Sequence, residues 1–243
     1  MVRNLQKRRT EEAHISEGSR PWRVIVFDVN ETLLDLAALD PAFARIFGEA
    51  AARREWFTQV LQSALTATVT DAYSDFGAVG MAALEMTAAR RGVVLHDTDR
   101  QAIREGMQQL PAHPEVRESL ERLRDAGLRL ATLTNSTATV GETQLTNAGL
   151  RDLFEQRLSA DTVRRLKPAS APYRLAAERL GVPVGEVRLV AAHAWDVAGA
   201  RRVGCAAAFV ARPGQVLDPL APIPDIVGVD LRDVAARLLA VER

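Results

Sequence analysis

Cysteine is nearly absent. Cys205 is the single one in 243 residues, so no internal disulfide can form and a reducing compartment suits the chain. In the run Gly204-Cys205-Ala206-Ala207-Ala208 it reads as a small buried residue. Excess charge of either sign is also missing: Lys+Arg and Asp+Glu are both 31, which removes the electrostatic footprint of a nucleic-acid or anionic-lipid binder. No apolar run approaches the length of a membrane span, and the first residues hold no hydrophobic segment of the signal-peptide kind. The expectation is therefore a cytoplasmic protein with no nucleic-acid or membrane partner. Internal repeats and low-complexity segments are lacking too. What remains is 47% hydrophobic residues, enough to bury one large core or two smaller ones.

The apolar run Val24-Ile25-Val26-Phe27 has the pattern of a strand buried on both faces of a parallel sheet, and it ends abruptly on Asp28. Residues 1–20 hold charged side chains and almost nothing apolar, which predicts a flexible tail. From Asp40-Pro41 to Pro114 helical spacing prevails. Phe43, Ile46 and Phe47 make one apolar face, Trp56, Val60 and Leu61 a second, and Met81, Leu84 and Ala88 a third; Asp97-Thr98-Asp99 caps a further helix carrying Ile103 and Met107.

After Pro114 helix and strand alternate. A helix from Pro114-Glu115 stops at Gly127, a strand covers 128–134, Asn135-Ser136 caps the next helix, and 154–158 is a weaker strand. A helix from Pro168 to Leu180, a strand from Val187 to Ala191, a helix from Val197 to Val203 and a strand from Ala206 to Val210 follow, with a last amphipathic helix from Leu231 to Leu239. This is βαβ architecture: an α/β chain with a Rossmann-like parallel sheet flanked by helices. The domain reading is a core of residues 21–36 and 114–243, with 37–113 as an inserted helical-bundle cap.

Parallel strands deliver their carboxyl ends to one edge, where open α/β sheets place their chemistry. Gathered there are Asp28, Thr134-Asn135, Lys167-Pro168 and His193-Ala194-Trp195-Asp196. A carboxylate nucleophile needs such company: donors to orient its oxygens, a cation to keep it ionised, and a second group to finish the reaction. Each residue also has a plainer reading. Thr32 and Thr134 suit strand ends, Lys167 an exposed helix start, Asp196 a helix N-cap before Val197, and Tyr173 helix packing.

Four segments in order, Asp28-Val29-Asn30-Glu31-Thr32-Leu33, Leu133-Thr134-Asn135-Ser136, Lys167-Pro168 and Trp195-Asp196, resemble the four motifs of the haloacid dehalogenase superfamily. The helical insertion after the first motif is similar as well, and the resemblance covers residues 21 to about 225. Within the superfamily, phosphatases carry a second Asp two residues after the nucleophile and an acid-rich fourth motif for magnesium. Here those places hold Asn30 and the stretch Ala191-Ala192-His193-Ala194-Trp195-Asp196 with one acid, a poor set for a hard cation. The chain resembles instead the type II (L-2-)haloacid dehalogenase branch, whose Lys and Tyr spacing Lys167 and Tyr173 match.

That resemblance implies a hydrolase in which Asp28 attacks the carbon bearing a halogen of a small 2-haloacid to give an ester and free halide, and water then cleaves the ester. It implies a catalytic set of Asp28, Lys167, Asp196, Thr32, Thr134 and Asn135, with Asp196 activating water alongside Lys167 and His193. Substrate binding is assigned to Asn30, Tyr173, His193, Trp195, Phe57 and Arg54. Two departures stand out: Phe57 follows Trp56 where the branch has a cap Arg, leaving Arg53 and Arg54 as substitutes, and His193 replaces an Asn. The implied partner is a small-molecule substrate, with a homodimer left open, and no cofactor or metal. The alternatives are a magnesium-dependent phosphatase of small phosphate esters and a non-catalytic member of the fold.

Overall fold

The computed structural model describes residues 24–242. The tail expectation for residues 1–20 lies outside the described residues. Strand β1 (Val24–Phe27) is followed by α1 (Asp40–Phe47), α2 (Ala52–Val69), α3 (Phe76–Arg91) and α4 (Asp97–Gln108) before the chain returns to the sheet. Then come α5 (Val116–Asp125), β2 (Leu130–Thr134), α6 (Ala138–Asn147), β3 (Gln156–Ser159), α7 (Ser170–Leu180) and β4 (Val187–Ala191). The last elements are α8 (Ala194–Val203), β5 (Ala206–Val210), β6 (Ile226–Gly228) and α9 (Leu231–Val241).

The six strands are ordered β3-β2-β1-β4-β5-β6, and every neighbouring pair is parallel. Strand β1 runs up the middle, and from it the chain winds outward first through β2 and β3, then through β4, β5 and β6. Its carboxyl end is thus the point where the winding reverses, and neighbouring crossovers leave the sheet on opposite sides there, opening a crevice. Asp28 is the residue at that crevice.

Two apolar clusters cover the sheet. One holds Val24, Val26, Ala131, Leu133, Tyr173 and Leu189 under α7 and α8. The other joins Ile25, Phe27, Leu120 and Val234 to Phe43, Trp56, Leu84 and Ile103 of the inserted helices, so those helices share one continuous apolar cluster with this face of the sheet. Trp56 donates its Nε1 proton to the Gly80 carbonyl at 2.9 Å, which pins α2 against α3 without leaving the indole unsatisfied.

Helix starts differ from the sequence expectation where a side chain has other work. Helix α6 is capped by Thr137, whose hydroxyl accepts from the Val140 amide; Asn135, the expected cap, is spent on the Lys167 backbone. Helix α8 begins at Ala194, so Asp196 lies inside the first turn rather than at the N-cap, and both its carboxylate oxygens are engaged elsewhere. Asp99 does cap α4, but from within it, accepting from the His96 amide at 3.0 Å. The short edge strand β6 has no counterpart in the sequence reading, because three residues after Pro222 and Pro224 carry no periodicity. Among the described residues, no helix is long and apolar enough to cross a membrane.

Candidate active site

Asp28 follows the last residue of β1, and its amide donates to the Val190 carbonyl of β4, so the backbone is fixed before the side chain is considered. Thr32, one tight turn later, donates its hydroxyl proton to Asp28 Oδ2 at 2.7 Å and accepts from the Ala192 amide at 2.9 Å. Lys167 reaches Asp28 Oδ1 at 2.9 Å, Asp196 Oδ2 at 2.6 Å and the Leu133 carbonyl at 2.8 Å, which uses all three ammonium protons. The Lys167 and Asp196 side chains are fully buried.

These contacts set the charges. Burial by itself would lift the Asp28 carboxyl, but the Lys167 ammonium, joined by His193, outweighs it and holds Asp28 well below the usual carboxylate range. Asp196 moves the other way: burial and the nearby Asp28 charge push it up against the pull of Lys167. Burial lowers Lys167, and the two carboxylates more than restore it, so it stays a cation. Tyr173 donates to Asp196 Oδ1 at 2.6 Å, and burial together with that carboxylate keeps its phenol protonated. Gly199 lets α8 approach this group, since a Cβ there would lie 2.5 Å from the Tyr173 oxygen and 2.6 Å from Pro168 Cβ.

Thr134 and Asn135 act one step removed. The Thr134 hydroxyl accepts from the Ser136 amide at 3.1 Å, and Asn135 brackets the Lys167 backbone, accepting from its amide at 2.8 Å and donating to its carbonyl at 3.5 Å. Asn30 turns toward α6, donating to Ser136 Oγ at 3.4 Å and accepting from Gln144 Nε2 at 3.0 Å.

The opposite flank of Asp28 is built differently. His193 Nε2 lies 2.8 Å from Glu31 Oε2, and its Nδ1 is 3.4 Å from Asp28 Oδ2 without the alignment of a hydrogen bond. Burial lowers its pKa, but Asp28 and Glu31 raise it further, to about 9. The ring sits between Trp195, stacked at 5.2 Å, and Phe57, tilted at 5.9 Å. Trp195 Nε1 is buried with no partner. Arg53 is buried against Asp40 and comes within 3.7 Å of Glu31, whereas Arg54 is exposed on the rim of a second cavity that Glu31, Arg53 and Phe57 also line. Of the predicted residues, Asp28, Thr32, Lys167, Asp196, Tyr173, His193 and Trp195 converge, with Phe57 above them; Arg54 lines the neighbouring cavity that shares Glu31 and Phe57 with this group.

A family model described as a haloacid dehalogenase-like hydrolase matches residues 22–204. The chain belongs to that family. This haloacid dehalogenase-like hydrolase is 31% identical over 214 residues to the (S)-2-haloacid dehalogenase of Pseudomonas sp. (strain YL), a match covering 86% of this chain and 91% of the relative. Haloacetate dehalogenase H-2 of Moraxella sp. (strain B) is 29% identical over 186 residues, covering 76% and 83% of the two chains. The solved L-2-haloacid dehalogenase from Xanthobacter autotrophicus with chloropropionic acid covalently bound superposes with a TM-score of 0.83 at 26% identity, covering 90% of this chain and 99% of that one.

In this hydrolase the donor set does not fit a divalent ion. The place between Asp28 and Asp196 is filled by the Lys167 ammonium, and among the described residues no cluster of three His, Cys, Asp or Glu side chains is disposed to hold a metal. A cavity of about 310 Å³ abuts the site through Phe57 and Ser136 and is walled by Trp56, Val60, Phe76 and Met107. Two site residues escaped the sequence reading. Glu31 entered only as a member of the first motif, with no role of its own, and its left-handed backbone (φ 61°), rare outside glycine, is what carries its carboxylate toward His193. Arg212, after β5, donates twice to the Thr32 carbonyl and also to Glu115, bracing the turn that holds Asp28; nothing local in the sequence marks it.

Proposed function

We propose that this hydrolase cleaves the carbon–halogen bond of a small 2-haloacid through an ester on Asp28. The observation that carries the reading is a buried carboxylate at the switch point of the sheet, kept anionic by Lys167 and oriented by Thr32. A desolvated, ionised carboxylate is a competent nucleophile toward an activated carbon, and attack in line with the departing halide needs no proton at the leaving group. The relatives support the same chemistry, one of them with chloropropionic acid covalently bound.

The roles follow from the contacts. Lys167 balances Asp28 and Asp196, Tyr173 and Asn135 hold Lys167 and Asp196 in place, and Asn30, which cannot donate a titratable proton, lines the approach with Ser136. Helices α1–α4 act as a cap over the crevice, with Phe57 closing the site and the adjoining apolar cavity receiving the substituent on the substrate carbon. The magnesium-phosphatase alternative is not favoured: the relatives are 2-haloacid dehalogenases, Asn30 stands where a second acid would be needed, and among the described residues no three acids or histidines gather to hold a metal.

The test is halide release from chloro-, bromo- and fluoro-2-alkanoates and haloacetates, with and without chelator. Release unaffected by chelation is expected. In a single turnover in heavy-oxygen water the label should enter the Asp28 carboxylate and not the product, because the ester is cleaved at its carbonyl carbon. Label found only in the product, or activity strictly dependent on magnesium, would reject the reading.

A further inference from the structure

We propose that Gln144, a buried residue of α6, is a positioning residue that fixes the polarity of the turn after β1 and thereby the binding of an anionic substrate. It locks the Asn30 amide with its oxygen toward Gln144 and its nitrogen toward Ser136. The anion is the carboxylate of the 2-haloacid in the reading above, on which this assignment rests.

The polarity is set from one end. A backbone carbonyl can only accept, so the Gln144 atom 2.7 Å from the Met107 carbonyl is the amide nitrogen. Its second proton goes to an Asn30 atom 3.0 Å away, and that atom is therefore the Asn30 oxygen. The Asn30 nitrogen is left facing Ser136 Oγ at 3.4 Å. Asn30 Nδ2 carries a second proton and Ser136 Oγ one of its own, and among the described residues neither is taken. Ser136 lines the apolar cavity of about 310 Å³ beside the site, so donors stand where that cavity meets the turn holding Asp28. With the Asn30 amide reversed, an incoming carboxylate would meet a lone pair instead of a proton.

Two features of Gln144 favour this role over simple packing. The side chain is fully buried, yet its Oε1 has no partner. An orphaned buried acceptor is destabilising, and an apolar side chain of similar length would not carry one; what Gln144 supplies in return is its two donated bonds. Asn147, one turn further along α6, gives the contrast. From an exposed position it donates to the Gln108 carbonyl at 2.9 Å, tying α6 to the end of α4 without touching Asn30. Gln144 makes the same kind of tie, to Met107, and also reaches the turn after β1. Met107 and Gln108 line the cavity with Ser136, so Gln144 joins the cap helix, the turn and the entry to α6 around one wall of it.

Steady-state halide release from 2-bromopropionate in a set of variants tests this. Gln144→Met keeps the length of the side chain and removes both donors. KM should rise about 10- to 100-fold, the loss expected when a charged ligand no longer meets its donor, with kcat within about threefold of wild type. Because Gln144 acts through Asn30, the double variant Asn30→Ala/Gln144→Met should have the KM of Asn30→Ala alone. Asn147→Ala removes the neighbouring bond between α6 and α4 and should leave KM unchanged. Asn30→Asp keeps the Gln144 bonds and puts an acceptor where the donor was, so KM should rise there even if Gln144→Met does not fold. A KM in Gln144→Met within about threefold of wild type, losses that add in full in the double variant, an equal rise in Asn147→Ala, or an unchanged KM in Asn30→Asp each overturns the assignment. A wild-type enzyme that releases no halide from any 2-haloacid overturns the dehalogenase reading itself, and this assignment with it.

Discussion

The two flanks of Asp28 are built on opposite principles. Toward α7 and α8, the three ammonium protons of Lys167, both oxygens of Asp196 and the phenol of Tyr173 are all paired, and the group is closed to solvent. Toward the turn after β1, Trp195 Nε1 is buried with no partner, and His193 Nδ1 faces Asp28 Oδ2 at 3.4 Å without the alignment of a hydrogen bond. Buried polar groups are normally satisfied because each unmet one costs about 1–3 kcal/mol. A saturated flank is suited to setting charge; an unsaturated one is suited to meeting atoms that arrive during the reaction. The contrast separates the pairs that set the charge of Asp28 from the groups left open beside it.

The largest effect should come from the residue common to both flanks. Asp28→Asn keeps the shape and removes the anion, so halide release should fall on the order of 10⁴-fold or more, to background. Appreciable residual release would mean that water, not Asp28, is the attacking group.

On the saturated flank, Lys167→Met leaves two buried carboxylates facing each other. A destabilisation of about 3–5 kcal/mol in urea titration is expected, and halide release should fall strongly as Asp28 takes up a proton at neutral pH. A variant as stable as wild type would show that the ammonium does not hold this flank together.

The unsaturated flank should show itself as a pH dependence of stability. His193 has its pKa raised from 6.5 to about 9, so its contribution is complete below 6.5 and is lost as pH climbs to about 9. Thermal melts of wild type should fall over that window, and His193→Gln should remove that component of the fall. An unchanged slope in the variant would assign the pH dependence to other groups. The smallest effect is expected at Arg54, exposed on the neighbouring cavity rim: Arg54→Gln should change stability by less than about 0.5 kcal/mol and leave kcat within twofold. A large rise in KM would bring Arg54 back as a substrate contact.

Much of the site was legible from strand ends alone. Asp28, Lys167 and Asp196 could be placed together because a parallel sheet sends every carboxyl end to one edge, and apolar runs ending in polar residues reveal those edges. The roles within the cluster were less legible. Asp196 reads locally as an N-cap, and only the arrival of Lys167 and Tyr173 from elsewhere in the chain shows why its oxygens are engaged instead. Asn135 reads as a cap for the same reason, and the structure gives that work to Thr137.

The amino-acid sequence by itself determined the first five strands, the inserted helices, the carboxylate at the end of the central strand and the lack of a second acid at Asn30, because periodicity, turn chemistry and residue type are local properties. Tertiary structure alone decided which side chains share a proton or a charge. Glu31 and His193 are 162 residues apart and Lys167 and Asp28 139, and at such separations a hydrogen bond depends on how crossovers stack on the sheet and on the backbone angle at one turn. No pattern in the intervening residues encodes that distance, so the pairing of Glu31 with His193 exists only in the folded chain.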